Sequence, residues 1–598
     1  MKMNKILFII PPVTLEERYG SLESAGTLYP PLGIAYLASI AIKNKCDVEV
    51  IDSEAEGYNY VDIKGFIKAY KPDIVGMQTY CTNIQQCLKV AQIIKSINPY
   101  IKVLLGGAQV TLFYDKDYDN VDFIIRGEGE KVFEELISGK EVSIINGLVW
   151  KNGDGIVVNP QQELIRDLDS IPFPARHLFP IEKYHSSAQL RGNRTLNIMT
   201  SRGCPYRCIV GDTLINTVDG MIPIKDLVGN SIGVYTYNKK TGDRYIKQTI
   251  NIRKVKSQAE ILRVTFDDNS FIDCTPDHKF YTFKNSWKEA KNLSYGENVI
   301  ALKRDNNSVI KVEFLEDKQD VYDMEVPTTH CYFANNVLIH NCAYCSGHIN
   351  FGKTFRYFSK EYVINEIKDL ISKYQVDSLQ FYDETFTVNR KRVLELCQAM
   401  IDNKVNLPWA CFTRVNLVDE ELLKEMKRAG CYQIFFGTES GNQRLLDLIR
   451  KDITLEQSRK AIKLCKKVGI QTFCSFMLNI PTETIEDSWN TINFAIELNP
   501  DYVQFPITTP FPGTELYNIA KQSGKFVTED WSKYMSWSEI VYTAEGRTVD
   551  EIQDTVKKAY RKFYLRPRYI LSALNRLRKL PIKKQIGLIK AGIKTFIR

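Results

Sequence analysis

Histidine is scarce in this 598-residue chain: there are six, and the first is His177. The first 176 residues therefore cannot hold a metal through imidazole, the side chain most often used for that purpose near neutral pH. No apolar run approaches the eighteen or so residues needed to cross a bilayer. The opening "MKMNKILFIIPPV" has a short apolar core that Pro11 and Pro12 end, and no small-residue cleavage site follows, so the expectation is a chain that stays in the cytosol. Fourteen cysteines follow no regular framework, which argues for reduced thiols rather than a disulfide scaffold. Acidic residues are missing from the end. From Lys557 to Arg598 there are 14 Lys and Arg and no Asp or Glu, leaving 65 basic against 71 acidic residues elsewhere, so the net charge of +8 belongs to the tail.

What is present divides the chain into three or four domains. One junction is abrupt. "TSRGCPYRC" carries Cys204 and Cys208 just past a strand-like run, Leu196 to Met199, and passes at once into turn-rich, strand-like sequence ("TLINTVDGMIPIKDL", "ILRVTFDDNSFIDCTPDHKFYT") that lasts until "VLIHNCAYCSGH". Removing residues 208–341 joins "SRGCPYR" to "CAYCSGH" and places Cys204, Cys342 and Cys345 in a C-x3-C-x2-C pattern.

The two edges carry the chemistry for that removal. Cys208 can attack the carbonyl of Arg207 and convert the peptide bond to a thioester, which Cys342 can take over as a second thiolate. Asn341 can cyclise on its own carbonyl and release Cys342, after which the thioester relaxes to an amide between Arg207 and Cys342. Each step needs a proton shuttle. Residues 208–341 resemble a mini-intein, an all-β Hint domain without a homing endonuclease, in "CIVGDTLI", "TPDH" and "VYDMEVPTTHCYFANNVLIHN". The resemblance implies that Thr275 and His278 assist the first acyl shift, that Asp323 and His330 coordinate later steps, and that His340 promotes cyclisation of Asn341. The plainer alternative is an all-β loop insertion with a fortuitous His-Asn-Cys.

Three thiolates at C-x3-C-x2-C past a strand suit a 4Fe-4S cluster with one open iron; a structural zinc wants a fourth ligand, for which only His348 is placed. The joined "CPYRCAYC" resembles the cluster loop of radical S-adenosylmethionine (radical SAM) enzymes. Downstream, apolar runs ending in polar or Gly/Pro turns ("SLQFYDETFTVNR", "WACFTRVN", "QIFFGTESGNQRLL", "QTFCSFMLNIPTET") alternate with helical patterns, which predicts a parallel sheet with ligands at the strands' carboxyl ends. The resemblance implies a partial (β/α)6 TIM-like barrel, residues 194–207 with 342–545. It makes Asp383 and Glu384 after the second strand, Arg414 after the third and Glu439 at the fourth candidates for contacts to S-adenosylmethionine. Relatives carry Gly-x-Pro-Gly-Glu-Thr where this chain has "NIPTET", so Asn479 and Thr482 are given no cofactor contact.

Residues 1–140 alternate in the same way ("KILFII", "CDVEVIDSEAEGY", "PDIVGMQTY", "KVLLGGAQV", "DFIIRGEGEKVFEELI"), the pattern of a doubly wound, Rossmann-like domain. "YPPLGIAYLAS", "LLGGAQV" and "RGEGE" resemble the cobalamin-binding domain of one large radical SAM subfamily. Gly106 and Gly107 would let a flat ring or nucleotide tail approach the backbone. Where such domains offer Asp-x-His-x-x-Gly, this chain reads Asp52 to Gly57 with Glu54 in the histidine's place, so any cobalamin would lack an imidazole ligand from this domain. Residues 141–193 read as a linker with a hairpin at "KNGDG", in which His177 and His185 are packing or surface residues.

After residue 545 the chain reads as helical. Ile586, Ile589, Ile593 and Ile597 fall on one helix face with lysines on the others, which suits either an anionic membrane surface or a helix packed on the barrel; nucleic acid is not expected, since no recognition module accompanies the charge. Together the resemblances imply a self-splicing precursor of a cobalamin-dependent radical SAM enzyme, methylating an unactivated carbon or performing radical cyclisation or oxidation, with a flavodoxin or ferredoxin as electron donor. The substrate is unknown, and the basic tail suggests lipid. A corrinoid-binding protein without radical chemistry is the alternative of another class.

Overall fold

The computed structural model describes residues 3–597 apart from 20–22, 24–25, 154, 204–208, 240, 277, 285, 327–328, 330, 341–350, 353, 535–538 and 579. The side chains of 16, 250–251, 255–258, 325, 340, 515, 575, 589 and 591–597 are likewise outside the description. Of the sequence-derived site residues, Cys204, Cys208, His330, Asn341, Cys342 and Cys345 lie outside the described residues, as does the side chain of His340.

The amino-terminal sheet has seven strands in the order 47–52, 5–10, 74–78, 102–106, 123–125, 148–152, 155–158. The first five are parallel, and the last two add antiparallel. The strands are apolar on both faces because both are covered: Phe8, Leu104 and Ile125 pack with helices Leu32–Lys43 and Glu130–Ile137, while Leu7, Ile9, Val75 and Val103 pack with Tyr60–Tyr70 and Ile84–Ile97. The hairpin at "KNGDG" is the outer edge of this sheet, so the domain's sheet runs past residue 140 to Val158. Strand order reverses between Lys5–Ile10 and Ile74–Gln78, which puts the crevice for a ligand at the carboxyl ends of those strands.

The second sheet has six parallel strands in chain order: Thr195–Ile198, Ser378–Phe381, Trp409–Thr413, Cys431–Glu439, Gln471–Phe476 and Tyr502–Gln504. This is the expected partial barrel. Leu196, Phe381, Cys411, Ile434 and Phe476 pack outward under the helices. On the inner side, the rings of Tyr382, Phe412, Phe435, Phe473 and Tyr502 form a ladder with centroids 4.7–6.4 Å apart. The covering helices start on Ser359, Asn389, Asp419, Thr454 and Thr484, whose side chains accept a backbone N–H and so fix where each helix begins.

Residues 209–340 form an all-antiparallel β domain. The chain ends in helices Val549–Tyr564, Pro567–Leu577 and Ile582–Ile597. Among the described residues no helix is long and apolar enough to cross a membrane.

The linker is stitched to both neighbours. Ala175 N–H donates to Ala35 O at 2.9 Å, and buried Arg176 donates to Glu366 Oε1 at 2.7 Å and to the carbonyl of Asn197 at 2.9 Å.

Candidate functional site

The base of the cysteine loop is closed. Ser201–Arg202 and Arg356–Tyr357 pair antiparallel, Arg202 opposite Arg356 and Tyr357 opposite Ser201. The whole β domain and the C-x3-C-x2-C positions thus hang from one two-stranded stem. Gly203 has φ +82°, and a Cβ there would lie 2.2 Å from the carbonyl of Thr354, so only glycine fits where the chain leaves the stem. Asp383 holds the same stem: its carboxylate accepts from Thr200 N–H at 2.6 Å, Ser201 N–H at 2.8 Å and the Thr200 hydroxyl, and Arg392 lies 4.0 Å away. Burial pushes the Asp383 carboxyl up, against the pull of Arg392 and those donors. What the structure gives Asp383 is the work of anchoring this stem.

Two arginines of the stem reach into the amino-terminal domain. Arg356 donates to Glu128 Oε2 at 2.7 Å and Arg202 to Glu128 Oε1 at 3.1 Å and Glu130 Oε1 at 2.6 Å, all four side chains being buried. Burial alone would raise the Glu130 carboxyl, but the Arg202 guanidinium beside it wins and holds it below the usual range. Sequence reasoning missed this network. The one signal was "RGEGE", two carboxylates in a Gly-rich turn after a buried strand.

Inside the β domain, the first strand pairs Ile209 with Cys274 and the last pairs Ile339 with Phe280. The turn between those partners holds Thr275 and His278, both buried. Asp323, also buried, follows Tyr322, which pairs with Ile209 on its other side. Two segments far apart in sequence, the turn of Thr275 and His278 and the strand of Asp323, are thus brought to the strands that carry Ile209 and Ile339.

At the barrel rim, Glu384 stays open to solvent, and among the described residues its carboxylate has no hydrogen-bond or ionic partner; the surrounding protein and the Asp383 charge push it up to about 7. Arg414 donates to the carbonyl of Lys451 and to Asn416 Oδ1. Glu439, at φ +60°, pairs with Lys451 Nζ at 2.7 Å. Arg414 and Glu439 therefore share one loop, 449–453, through Lys451. Asn479 and Thr482 have φ +63° and +67°, the left-handed backbone that favours glycine. Each uses its side chain instead: Asn479 Nδ2 donates to Tyr542 O at 2.7 Å and its Oδ1 accepts from Ala544 N–H at 3.0 Å, while Thr482 Oγ1 accepts from Arg444 at 2.8 Å.

A cavity of about 110 Å³ opens at the crevice of the amino-terminal sheet, lined by Gly33, Gly76, Gly106, Gly107, Met77 and, from the barrel side, Met199. Gly107 has φ +102°, and a Cβ there would meet Thr79 O at 2.6 Å; at Gly106 a Cβ would meet nothing within 4 Å, so its bare backbone faces open space. This glycine cradle fits a flat or slender group laid against the backbone, as cobalamin requires. The predicted turn at Asp52–Gly57 is a single helical turn, Ser53–Glu56, capped by Asp52, which accepts from Ala55 N–H at 3.0 Å and from the Tyr184 hydroxyl at 2.5 Å. Gly57 ends it at φ +75°. Glu54 pairs with Arg18 at 2.7 Å, and burial, opposed by Arg18, pushes its carboxyl up to about 7. Among the described residues no group of three or more His, Cys, Asp or Glu could hold a metal; Cys204, Cys342 and Cys345, the donor set the sequence offers for an iron–sulfur cluster, lie outside them.

These features are those of one class: a radical SAM protein with an amino-terminal B12-binding domain and a Hint-type β domain inserted between the two, after the first strand of the barrel. Comparison with known families agrees, since the B12 binding domain model matches residues 21–137, the Pretoxin HINT domain model residues 214–342 and the radical SAM superfamily model residues 339–495. The cofactors that go with these domains are a 4Fe-4S cluster, S-adenosylmethionine and cobalamin. The chain is similar to an uncharacterised methyltransferase of Pyrococcus horikoshii, 28% identical with 99% of each chain covered. It is also similar to the anaerobic magnesium-protoporphyrin IX monomethyl ester cyclase of Rubrivivax gelatinosus, 24% identical over 99% of this chain and 82% of that one. Its fold is that of the radical S-adenosylmethionine methyltransferase TsrM of Kitasatospora setae, with a TM-score of 0.56 at 13% identity over 97% of this chain and 92% of that one.

Proposed function

We propose that the chain is a self-splicing precursor, and that its 464-residue product is a cobalamin-dependent radical SAM methyltransferase acting on an unactivated carbon. The observation that carries the splicing half is the closed stem. With Arg202 paired to Arg356 across the insert, joining Arg207 to Cys342 leaves a short loop on an existing base and needs no rebuilding of the barrel. In splicing, the Cys208 thiolate adds to the Arg207 carbonyl and the amide nitrogen leaves with a proton. Thr275 and His278 stand on the turn beside that end and supply the hydrogen bond and the proton. Cys342 then displaces Cys208 from the thioester, the side-chain amide nitrogen of Asn341 attacks that residue's backbone carbonyl, closing a succinimide and freeing the Cys342 amine, and that amine closes the final amide as the Cys342 thiol leaves.

When bound, the three cofactors supply a carbon radical and a methyl group. The chain's residues bind and orient. Glu384, ionised, accepts from an ammonium group; Arg414 suits a carboxylate; and Glu439, fixed by Lys451, suits ribose hydroxyls. The aromatic ladder gives the barrel an apolar inner wall, and the turn of Asp52 and Glu54 offers a bound corrin no imidazole. An external one-electron donor, such as a flavodoxin or ferredoxin, completes the set. Radical cyclisation is the second reading, favoured by the likeness to the Rubrivivax cyclase.

The test is cofactor cleavage. Spliced protein made anaerobically with cobalamin is expected to carry iron, sulfide and corrinoid and to release 5′-deoxyadenosine from S-adenosylmethionine. The Asn341→Ala, Cys208→Ala precursor is expected to release none. Corrinoid without iron would leave only a carrier, and a product heavier by a methylene unit separates methylation from cyclisation.

A further inference from the structure

The two last helices leave apolar side chains outside while burying a basic one each. Helix Pro567–Leu577 turns its arginine inward: Arg576 donates to Asp501 Oδ1 at 3.4 Å and lies over the rings of Tyr502 and Tyr569 at 5.6 and 4.8 Å. Tyr569 and Ala573 pack on the barrel core, but Leu571 and Leu574 face solvent, 68% and 51% exposed, with Ile570 beside them. The described first turns of helix Ile582–Ile597 do likewise. Lys584 donates to Ser186 Oγ at 2.5 Å and Leu190 O at 2.9 Å at the foot of the barrel, and burial pushes its amine down to about 8, while Ile582 is 74% exposed and Ile586 lies one turn further on the same side. A helix packed only on its own domain buries its apolar stripe and shows its charges; here each helix spends one basic side chain inward, Arg576 or Lys584, while several apolar ones face out.

We infer that this surface is a docking face for an anionic lipid bilayer. Arg568, Arg578, Lys583 and Lys590 are exposed around the apolar residues, and the 14 basic residues from Lys557 onward are accompanied by no acidic one. An apolar centre rimmed by cations matches a bilayer interface, where acyl chains take the apolar side chains and anionic headgroups the rim. A nucleic acid would require the cations, not the leucines, to stand outermost. A protein groove would take the leucines but gives no reason for the exposed cations Arg568, Arg578, Lys583 and Lys590 around them.

The experiment is co-sedimentation of the full chain with vesicles of phosphatidylcholine alone and of phosphatidylcholine with phosphatidylglycerol. Binding is expected to the anionic vesicles, to fall with added salt, and to drop about fivefold for each of Arg578→Ser and Lys583→Ser. Leu571→Ser with Leu574→Ser is expected to lower it at least as far with unchanged thermal unfolding, since both side chains are exposed. No binding to either vesicle, or equal binding by the leucine variant, overturns the inference. So does a concentration-dependent dimer, seen by ultracentrifugation, that the leucine variant abolishes without any vesicle binding, because it assigns the face to a second copy.

Discussion

Lys279 of the inserted β domain and Asp452 of the barrel form an ion pair whose side chains are 14% and 18% exposed. Lys279 follows His278, on the turn proposed to serve splicing. Asp452 follows Lys451, which holds Glu439 and receives Arg414. The insert therefore rests on the loop that arranges two candidate cofactor contacts. In the precursor, Lys279→Ala is expected to speed amide exchange at residues 450–453 severalfold, about the effect of ~1 kcal/mol. Unchanged exchange would mean the pair holds nothing in place. The proposed splicing would remove Lys279, so the ligated product is expected to exchange as the variant does.

The stem network predicts a large stability effect. Glu128→Ala strips Arg356 of its carboxylate and leaves Arg202 only Glu130, which should cost about 3–5 kcal/mol in denaturant unfolding, because buried charges lose their partners. The Glu130 carboxyl is held low in the folded protein. Its contribution is present above the ordinary carboxylate range and lost as pH falls through the folded value. The difference in stability between wild type and Glu130→Gln should therefore shrink toward acid pH.

At the rim, Glu384 near pH 7 predicts pH-dependent affinity. If it accepts from the ammonium of S-adenosylmethionine, it must be ionised, so binding to spliced protein should strengthen from pH 6 to pH 8. Calorimetric titration across that range should show the rise in wild type and a flatter profile in Glu384→Gln.

Asn479 offers a backbone test. Asn479→Gly keeps the left-handed conformation but removes two hydrogen bonds to the 542–544 strand, for about 1–2 kcal/mol. Asn479→Ala adds backbone strain and should cost about 1 kcal/mol more. If alanine is tolerated better than glycine, the side chain is not what pins this turn.

The order of elements was legible because parallel strands covered on both faces leave apolar runs such as "KILFII" and "QIFFGTE", and because thiolate spacing survives an insertion. What was not legible depends on which elements meet. Arg202 and Arg356 find Glu128 across 74 and 228 residues, and no spacing rule foretells such partners. Asp383 follows its strand as expected, yet the turn of the backbone spends its oxygens on Thr200 and Ser201. Helical periodicity put the isoleucines from Ile586 on one face, but only packing reveals that Lys584 enters the protein while Ile582 and Ile586 leave it. The hairpin at "KNGDG" reads as a linker until its edge is seen to pair with Phe123–Ile125.

The most direct measurement is the intact mass of the chain after anaerobic expression, with iron counted on the same sample. The account predicts a 464-residue ligated product carrying iron and a separate 134-residue fragment, both absent from the Asn341→Ala, Cys208→Ala variant. A single 68.8 kDa species from the unaltered chain would contradict it, and would leave residues 208–341 an ordinary insertion between Cys204 and Cys342.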